Sequence, residues 1–153
     1  MNVREDRVAL FNQLADPASM PRFFDRVADD VVWTVEGVHP LAGTFRSKQA
    51  FMTATFERLG PLMRKGVRLE LRHLVLDGAV VVAELAASST TLEGARYDNH
   101  LCWVCRFAGT EVGDSVVEVR AYLDSAMVTW TVLRNEPYPV SASPGPLGAG
   151  TPR

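Results

Sequence analysis

The stretch "VRLELRHLVLDGAVVVAELAASSTTL" (67–92) decides the fold. Val67, Leu69 and Leu71 fall on one side of its first half, and Arg68, Glu70 and Arg72 on the other. A period of two turns such a pattern into one apolar and one polar face only on a β-strand. Asp77-Gly78 is a strong hairpin signal, because glycine accepts the positive φ that a tight turn requires. Residues 79–92 are then the return strand, and Glu93-Gly94 makes the next turn. "ARYDNHLCWVCRF" (95–107) reads as a third long strand, with "AGTEVGD" (108–114) turning it around. "DSVVEVRAYLD" (114–124) is the fourth, and "SAMVTWTVL" (125–133) a short closing helix.

Upstream of Gly66 the period is helical. In "VREDRVALFNQLA" (3–15), Val8, Phe11, Leu14 and Ala15 share one helical face. "DPASMPRFFDRVA" (16–28) is a second, shorter helix with Ser19 placed to cap it and Pro21 in its first turn. "DDVVWTVEG" (29–37) is a strand rich in β-branched residues. "VHPLAGTF" (38–45) is a loop, punctuated by Pro40 and Gly43. "SKQAFMTATFERL" (47–59) is a third helix capped by Ser47, which Gly60-Pro61 ends or kinks. Helices first and long antiparallel strands afterwards make an α+β layer. A strongly twisted antiparallel sheet curls around its helices and leaves a pocket between them.

The 153 residues amount to one domain, spanning 1–134. Residues 135–153, "NEPYPVSASPGPLGAGTPR", are rich in proline and glycine and read as a disordered tail. The net charge is -2, and basic and acidic residues alternate without a basic stripe. The reading therefore excludes a nucleic-acid partner. No segment approaches a membrane span, and the charged N-terminus lacks a signal-peptide core, so the expectation is a cytoplasmic protein.

Both cysteines sit in one C-x-x-C, Cys102 and Cys105. On a strand, residues three apart point to opposite faces, so neither a shared metal nor a mutual disulfide is geometrically easy. A thioredoxin-type pair sits at a helix N-terminus, whereas Trp103 and Val104 between these two favour a strand. The cysteines read as apolar bystanders, and no metal site is expected.

The chemistry is sought where polar residues meet the sheet. On the fourth strand, Val117, Val119, Ala121 and Leu123 form one face; Glu118, Arg120, Tyr122 and Asp124 form the other. Asp124 has two readings. It precedes "SAMV" and can cap the closing helix. It can also be a carboxylate at the closed end of an apolar pocket, where burial raises its pKa toward general acid/base work. An aspartate base beside a tyrosine donor in an apolar site is the arrangement of ketosteroid isomerase. On the third strand Asn99, Leu101, Trp103 and Cys105 share a face, which makes Asn99 a candidate pocket donor or a strand-end amide. His39, in "GVHPLAG", lines the pocket mouth or bonds its own loop. Trp33 is core or an aromatic wall. The candidate catalytic set is Asp124, Tyr122, Asn99 and His39; Trp33, Trp103, Arg120 and Leu101 are the candidate substrate contacts.

"VVWTVEGVHPLAGTFRSKQAF" and "YDNHLCWVCRFAGTEVGDSVVEVRAYLDSAMV" together resemble the SnoaL-like branch of the nuclear transport factor 2-like (NTF2-like) superfamily. That group includes polyketide cyclases, ketosteroid isomerases and limonene-epoxide hydrolases. The resemblance covers residues 3–133 and is most specific in "VxEVRxYLD" and "HPLAGTFR". It implies a cone-shaped, cystatin-like α+β fold with a deep apolar pocket, no metal or organic cofactor, and a homodimer through the sheet. It also implies that Asp124 matches the acid/base aspartate of the cyclases. The Arg-x-Asp pair of the epoxide hydrolases has Ser89 and Thr91 in its place, and Arg96-Tyr97-Asp98 lies later in the chain. Glu36 is the carboxylate nearest to the isomerase base. The leading expectation is a cofactor-free enzyme that isomerises or cyclises an apolar, carbonyl-bearing small molecule, with Asp124 moving the proton. The alternatives are a non-catalytic binding or carrier protein, an epoxide hydrolase-like activity, and an interaction protein that dimerises through its sheet.

Overall fold

A computed structural model describes residues 1–137 of the chain. The elements run α1 (Val3–Asn12), a 3-10 turn (Gln13–Ala15), α2 (Met20–Asp25), β1 (Val27–Val35), β2 (Gly43–Phe45), α3 (Lys48–Ala54) and α4 (Phe56–Leu59). After a second 3-10 turn (Gly60–Leu62) come β3 (Leu69–Asp77), β4 (Val80–Thr90), β5 (Arg96–Phe107), β6 (Val116–Leu123) and α5 (Ser125–Asn135). Six strands form one curved, unclosed sheet in the order β2-β1-β6-β5-β4-β3. The expected α+β architecture is therefore present. No helix among the described residues is long and apolar enough to cross a membrane.

The antiparallel meander β3-β4-β5-β6 follows from the hairpins, with Gly78 at φ +56 turning β3 into β4. The pairing of β1 with β6 is parallel, which corrects the expectation of a purely antiparallel sheet. A parallel pair cannot be joined by a tight turn. Here the whole intervening chain lies between the two strands, so no local signal announces the pairing. Bulges interrupt the register between Leu71 and His73 and between Arg106 and Phe107. Each bulge sharpens the local twist that curls a sheet around its helices.

The concave face is aromatic. Phe11, Phe23 and Trp33 are fully buried, and the Trp33 ring stacks on Phe51 with centroids 3.8 Å apart. Trp103 meets Trp33 edge-on at 5.0 Å. Two local features differ from the sequence reading. The loop between β1 and α3 contains a short edge strand, β2, because Trp33, Thr34 and Val35 find partners in Phe45, Thr44 and Gly43. The third helix breaks five residues early: Thr55 has φ -123 and ψ -82, and its hydroxyl donates to the Phe51 carbonyl at 2.7 Å. A β-branched residue whose side chain bonds the preceding turn disfavours straight continuation.

Helix α1 turns differently from its expected face. It buries Asp6 and Arg7 beside Leu10 and Phe11. Arg7 is 0% exposed; it pairs with Asp6, donates to the Glu111 carbonyl at 2.9 Å and lies 3.9 Å over the Phe107 ring. Arg26, one residue past α2, holds both Asp6 oxygens at 3.2 and 3.0 Å and the Asp114 carbonyl at 2.9 Å. The cluster staples α1 and the start of β1 to the β5–β6 turn. Burial opposes the Asp6 charge, but the Arg26 hydrogen bonds and charge, the Gly113 amide and Arg7 outweigh it, and the carboxyl titrates below its usual range. A depressed carboxyl contributes stability above the ordinary carboxylate range and loses it as pH falls below that range. Asp6→Ala strands Arg7 without its counter-charge and is expected to cost about 3–5 kcal/mol in urea unfolding at neutral pH. The deficit relative to the native chain should shrink as the same measurement is carried into acid.

Candidate functional site

The sheet's concave face, α3–α4 and α5 line an apolar cavity of about 50 Å³. Trp33 and Val35 come from β1, Phe51, Phe56 and Leu59 from the broken helix, Leu101 and Trp103 from β5, and Val128 from α5. Period-two alternation aims the β5 face inward, and β5 pairs with β6 so that Trp103 stands beside Ala121 and Cys105 beside Val119. Small and large residues thus interdigitate, leaving space above Ala121 and Ala87.

The polar feature of this wall is a tyrosine that the sequence reading passed over. Tyr97, 2% exposed, lines the cavity one alternation before Asn99 on the same face. Asn99 is 1% exposed and its orientation is determined by chemistry. The Asp124 backbone N–H can only donate, so it takes Oδ1, at 2.9 Å. Nδ2 then faces the other way and donates to Tyr97 Oη at 3.2 Å and to the Asp124 carbonyl at 3.3 Å. Because Tyr97 Oη is the acceptor in that bond, its own proton remains to be donated elsewhere. Burial pushes the Tyr97 phenol up to about 12; the Asn99 bond works against the rise and the Asp124 charge adds to it. The indole N–H groups of Trp33 and Trp103, both in the cavity wall, are buried without a hydrogen-bond partner. Thr55 also lines the space, but its proton is already given to Phe51.

Three comparisons bear on what this architecture is. No protein-family profile matches the chain. The curated protein "Dimerizing cyclase phiC" from Fungal sp. (strain ATCC 74256) is 27% identical over 116 residues, covering 74% of this chain and 50% of that protein. The chain thus spans about half the length of the curated relative it matches. Among solved structures, an NTF2-like protein from Burkholderia thailandensis E264 superimposes with a TM-score of 0.68 at 22% identity, covering 86% of this chain and 97% of that one. The chain has the fold of the NTF2-like proteins. PrhC from Penicillium brasilianum NBRC 6234 has the same fold, with a TM-score of 0.67 at 13% identity over 86% of this chain and 89% of that one.

Within this NTF2-like frame the candidate residues separate into two sets. Trp33, Trp103 and Leu101 line the cavity, whereas Asn99 does not line it and has every amide hydrogen committed to protein acceptors. Four others are corrected. Tyr122 is 46% exposed and Arg120 is exposed, on the convex face, where Arg120 pairs with Glu118 at 3.3 Å. Their odd spacing from Ala121 and Leu123 requires this. Asp124 is exposed and its carboxylate accepts the Met127 N–H at 3.2 Å, so it is the N-cap of α5 and does not line the cavity. His39 is buried outside the cavity wall. Its Nδ1 accepts the Leu41 N–H at 3.2 Å, which leaves Nε2 to donate to the Glu36 carbonyl at 3.1 Å. Burial lowers its pKa against the opposing Glu36 bond. The loop carrying it passes so close to α5 that a Cβ on Gly37, at φ +110, would stand 2.6 Å from Ser125 Oγ.

The remaining candidates also have structural partners. Arg96 and Asp98 pair with each other at 2.8 Å on the convex face. Ser89 donates to the Gly66 carbonyl, and Thr91 takes the Ala95 N–H. Cys105 is buried and Cys102 half-buried on the opposite face, both free. Tyr97 was legible in principle: the same alternation that ties Asn99 to Leu101 and Trp103 extends back to it.

Two outcomes follow from this geometry. Asn99→Ala removes the acceptor of the part-buried Asp124 N–H, while the Asp124 carbonyl keeps the Val128 N–H, and should cost about 1–3 kcal/mol in urea unfolding. With a water-soluble disulfide reagent, Cys102 should react in the native protein and Cys105 only after unfolding, giving two separated phases. Burial pushes both thiols up, Cys105 far more.

Proposed function

We propose that the protein is a small cofactor-free cyclase or isomerase that takes an apolar, carbonyl-bearing molecule into the cavity and polarises its carbonyl through the Tyr97 hydroxyl. The observation that carries this reading is the Asn99–Tyr97 pair, an oriented donor in an otherwise apolar wall. A donor whose direction is already set by Asn99 needs no reorganisation when negative charge develops on a substrate oxygen. The likeness to a protein named a cyclase supports the reaction class. In this reading Tyr97 is the donor, Asn99 its positioning residue, and Trp33, Trp103 and Leu101 the walls. Asp124 acts as the cap of α5.

A second reading is favoured by one observation. The cavity-lining residues include no carboxylate and no imidazole, so a binding or carrier protein would use the same wall without a proton-shuttling base. The epoxide hydrolase alternative has no support from the cavity for the same reason. A homodimer through the convex face of the sheet accords with the exposed Tyr122 and Val75 there.

Acetophenone is a suitable probe of the common element, because its carbonyl stretch moves to lower frequency when it accepts a hydrogen bond. The native protein should bind it with that shift. Tyr97→Phe should abolish the shift and weaken binding about five- to tenfold, the worth of one hydrogen bond. Asp124→Asn, which keeps a capping side chain, should leave both unchanged. A shift that survives in Tyr97→Phe would remove Tyr97 from the role given to it.

A further inference from the structure

We propose that Arg58 is a latch that governs entry to the cavity by tying the α4 wall to Glu136 at the end of α5. The inference rests on the reading that the cavity receives a small molecule. At about 50 Å³ the space holds a few waters. A substrate larger than this space displaces part of a wall as it enters.

The walls differ in how they are held. β1, β5 and β6 are locked by their neighbours in the sheet, and α5 is an eleven-residue helix. The wall from Thr55 to Leu62 is a single turn of α4 followed by a 3-10 turn. Thr55 at its start lies outside the helical basin, and Gly60 at its end has no side chain and open space around it. Such junctions are where a backbone absorbs a hinge motion. Phe56 and Leu59 are the inward residues of this segment.

Arg58 holds it shut from the outer side. Its Nε and Nη2 donate to the two Glu136 carboxylate oxygens at 3.0 and 3.1 Å, and its Nη1 donates to the Pro40 carbonyl at 3.0 Å. The two side chains are only 16% and 14% exposed. Pro40 precedes Leu41, another wall residue, and Glu136 ends the α5 segment that carries Val128. One planar guanidinium thus joins three walls, which a point-charge ammonium cannot reproduce. Breaking the pair frees the α4 turn to swing about Thr55 and Gly60.

The test uses the full chain with Trp130→Phe, which removes the exposed tryptophan and leaves Trp33 and Trp103 as the fluorophores. Arg58→Met and Glu136→Gln should each raise acrylamide quenching of these two. Each should also accelerate hydrogen exchange of the Arg58, Leu59 and Met63 amides about tenfold or more, as loss of charge-assisted bonds implies. The β5 amides should keep their native rates. Unchanged quenching and exchange in both variants would overturn the proposal. So would acceleration that spreads into β5, since the pair would then hold the whole fold. Glu136→Gln keeps the side-chain shape and serves if Arg58→Met does not fold. Neither readout needs a ligand, so failure of the latch is distinguishable from failure of acetophenone to sense Tyr97.

Discussion

The alternation of side chains across β4, β5 and β6 is the constraint on which the rest of this structure depends. Ala83, Trp103 and Ala121 stand side by side in register, as do Val81, Cys105 and Val119. A shift of one residue in any of these strands would exchange the aromatic interior for the charged exterior. The register therefore decides the core, the cavity and the list of residues able to touch a ligand. Tyr97, Asn99, Leu101 and Trp103 face inward by the same rule that sends Arg120 and Tyr122 outward.

Asn99 links that alternation to the closing helix. Its amide binds both backbone groups of Asp124 and the Tyr97 hydroxyl. A single buried side chain thus positions the start of α5 and orients the cavity's polar donor. A buried amide with all its partners in place stiffens its surroundings, and one with a missing partner is costly. The Asp6–Arg7–Arg26 cluster plays a comparable part at the other end of the sheet, where charges hold α1 against the β5–β6 turn. The two polar networks bracket an aromatic core that has little directional preference of its own.

The inward face of Tyr97 could be read from the sequence and the placement of the Asp124 carboxylate could not. Tyr97 lies two residues before Asn99, and the alternation alone assigns its face. Asp124 is different because it sits where a strand becomes a helix. Period-two reasoning ends there, and the same residue can face a pocket or cap a helix. Its carboxylate takes the Met127 N–H, the bond that an N-terminal helix turn leaves open. His39 shows the same limit in a loop, where its hydrogen bonds to Glu36 and Leu41 have no periodic signature.

By itself the sequence determined the α+β class, the strand boundaries within a few residues, the separation of Cys102 from Cys105, and the resemblance to SnoaL-like proteins. These are local properties, set by side-chain period and turn chemistry over stretches of about ten residues. Only the tertiary structure decided the parallel pairing of β1 with β6, the break at Thr55, the burial of Arg7 and the placement of Asp124 outside the cavity. Each depends on a partner distant in the chain, or on competition between backbone and side chain for one hydrogen bond. Hydrophobic patterning carries no record of either, because it specifies which face is buried and leaves open what that face will meet.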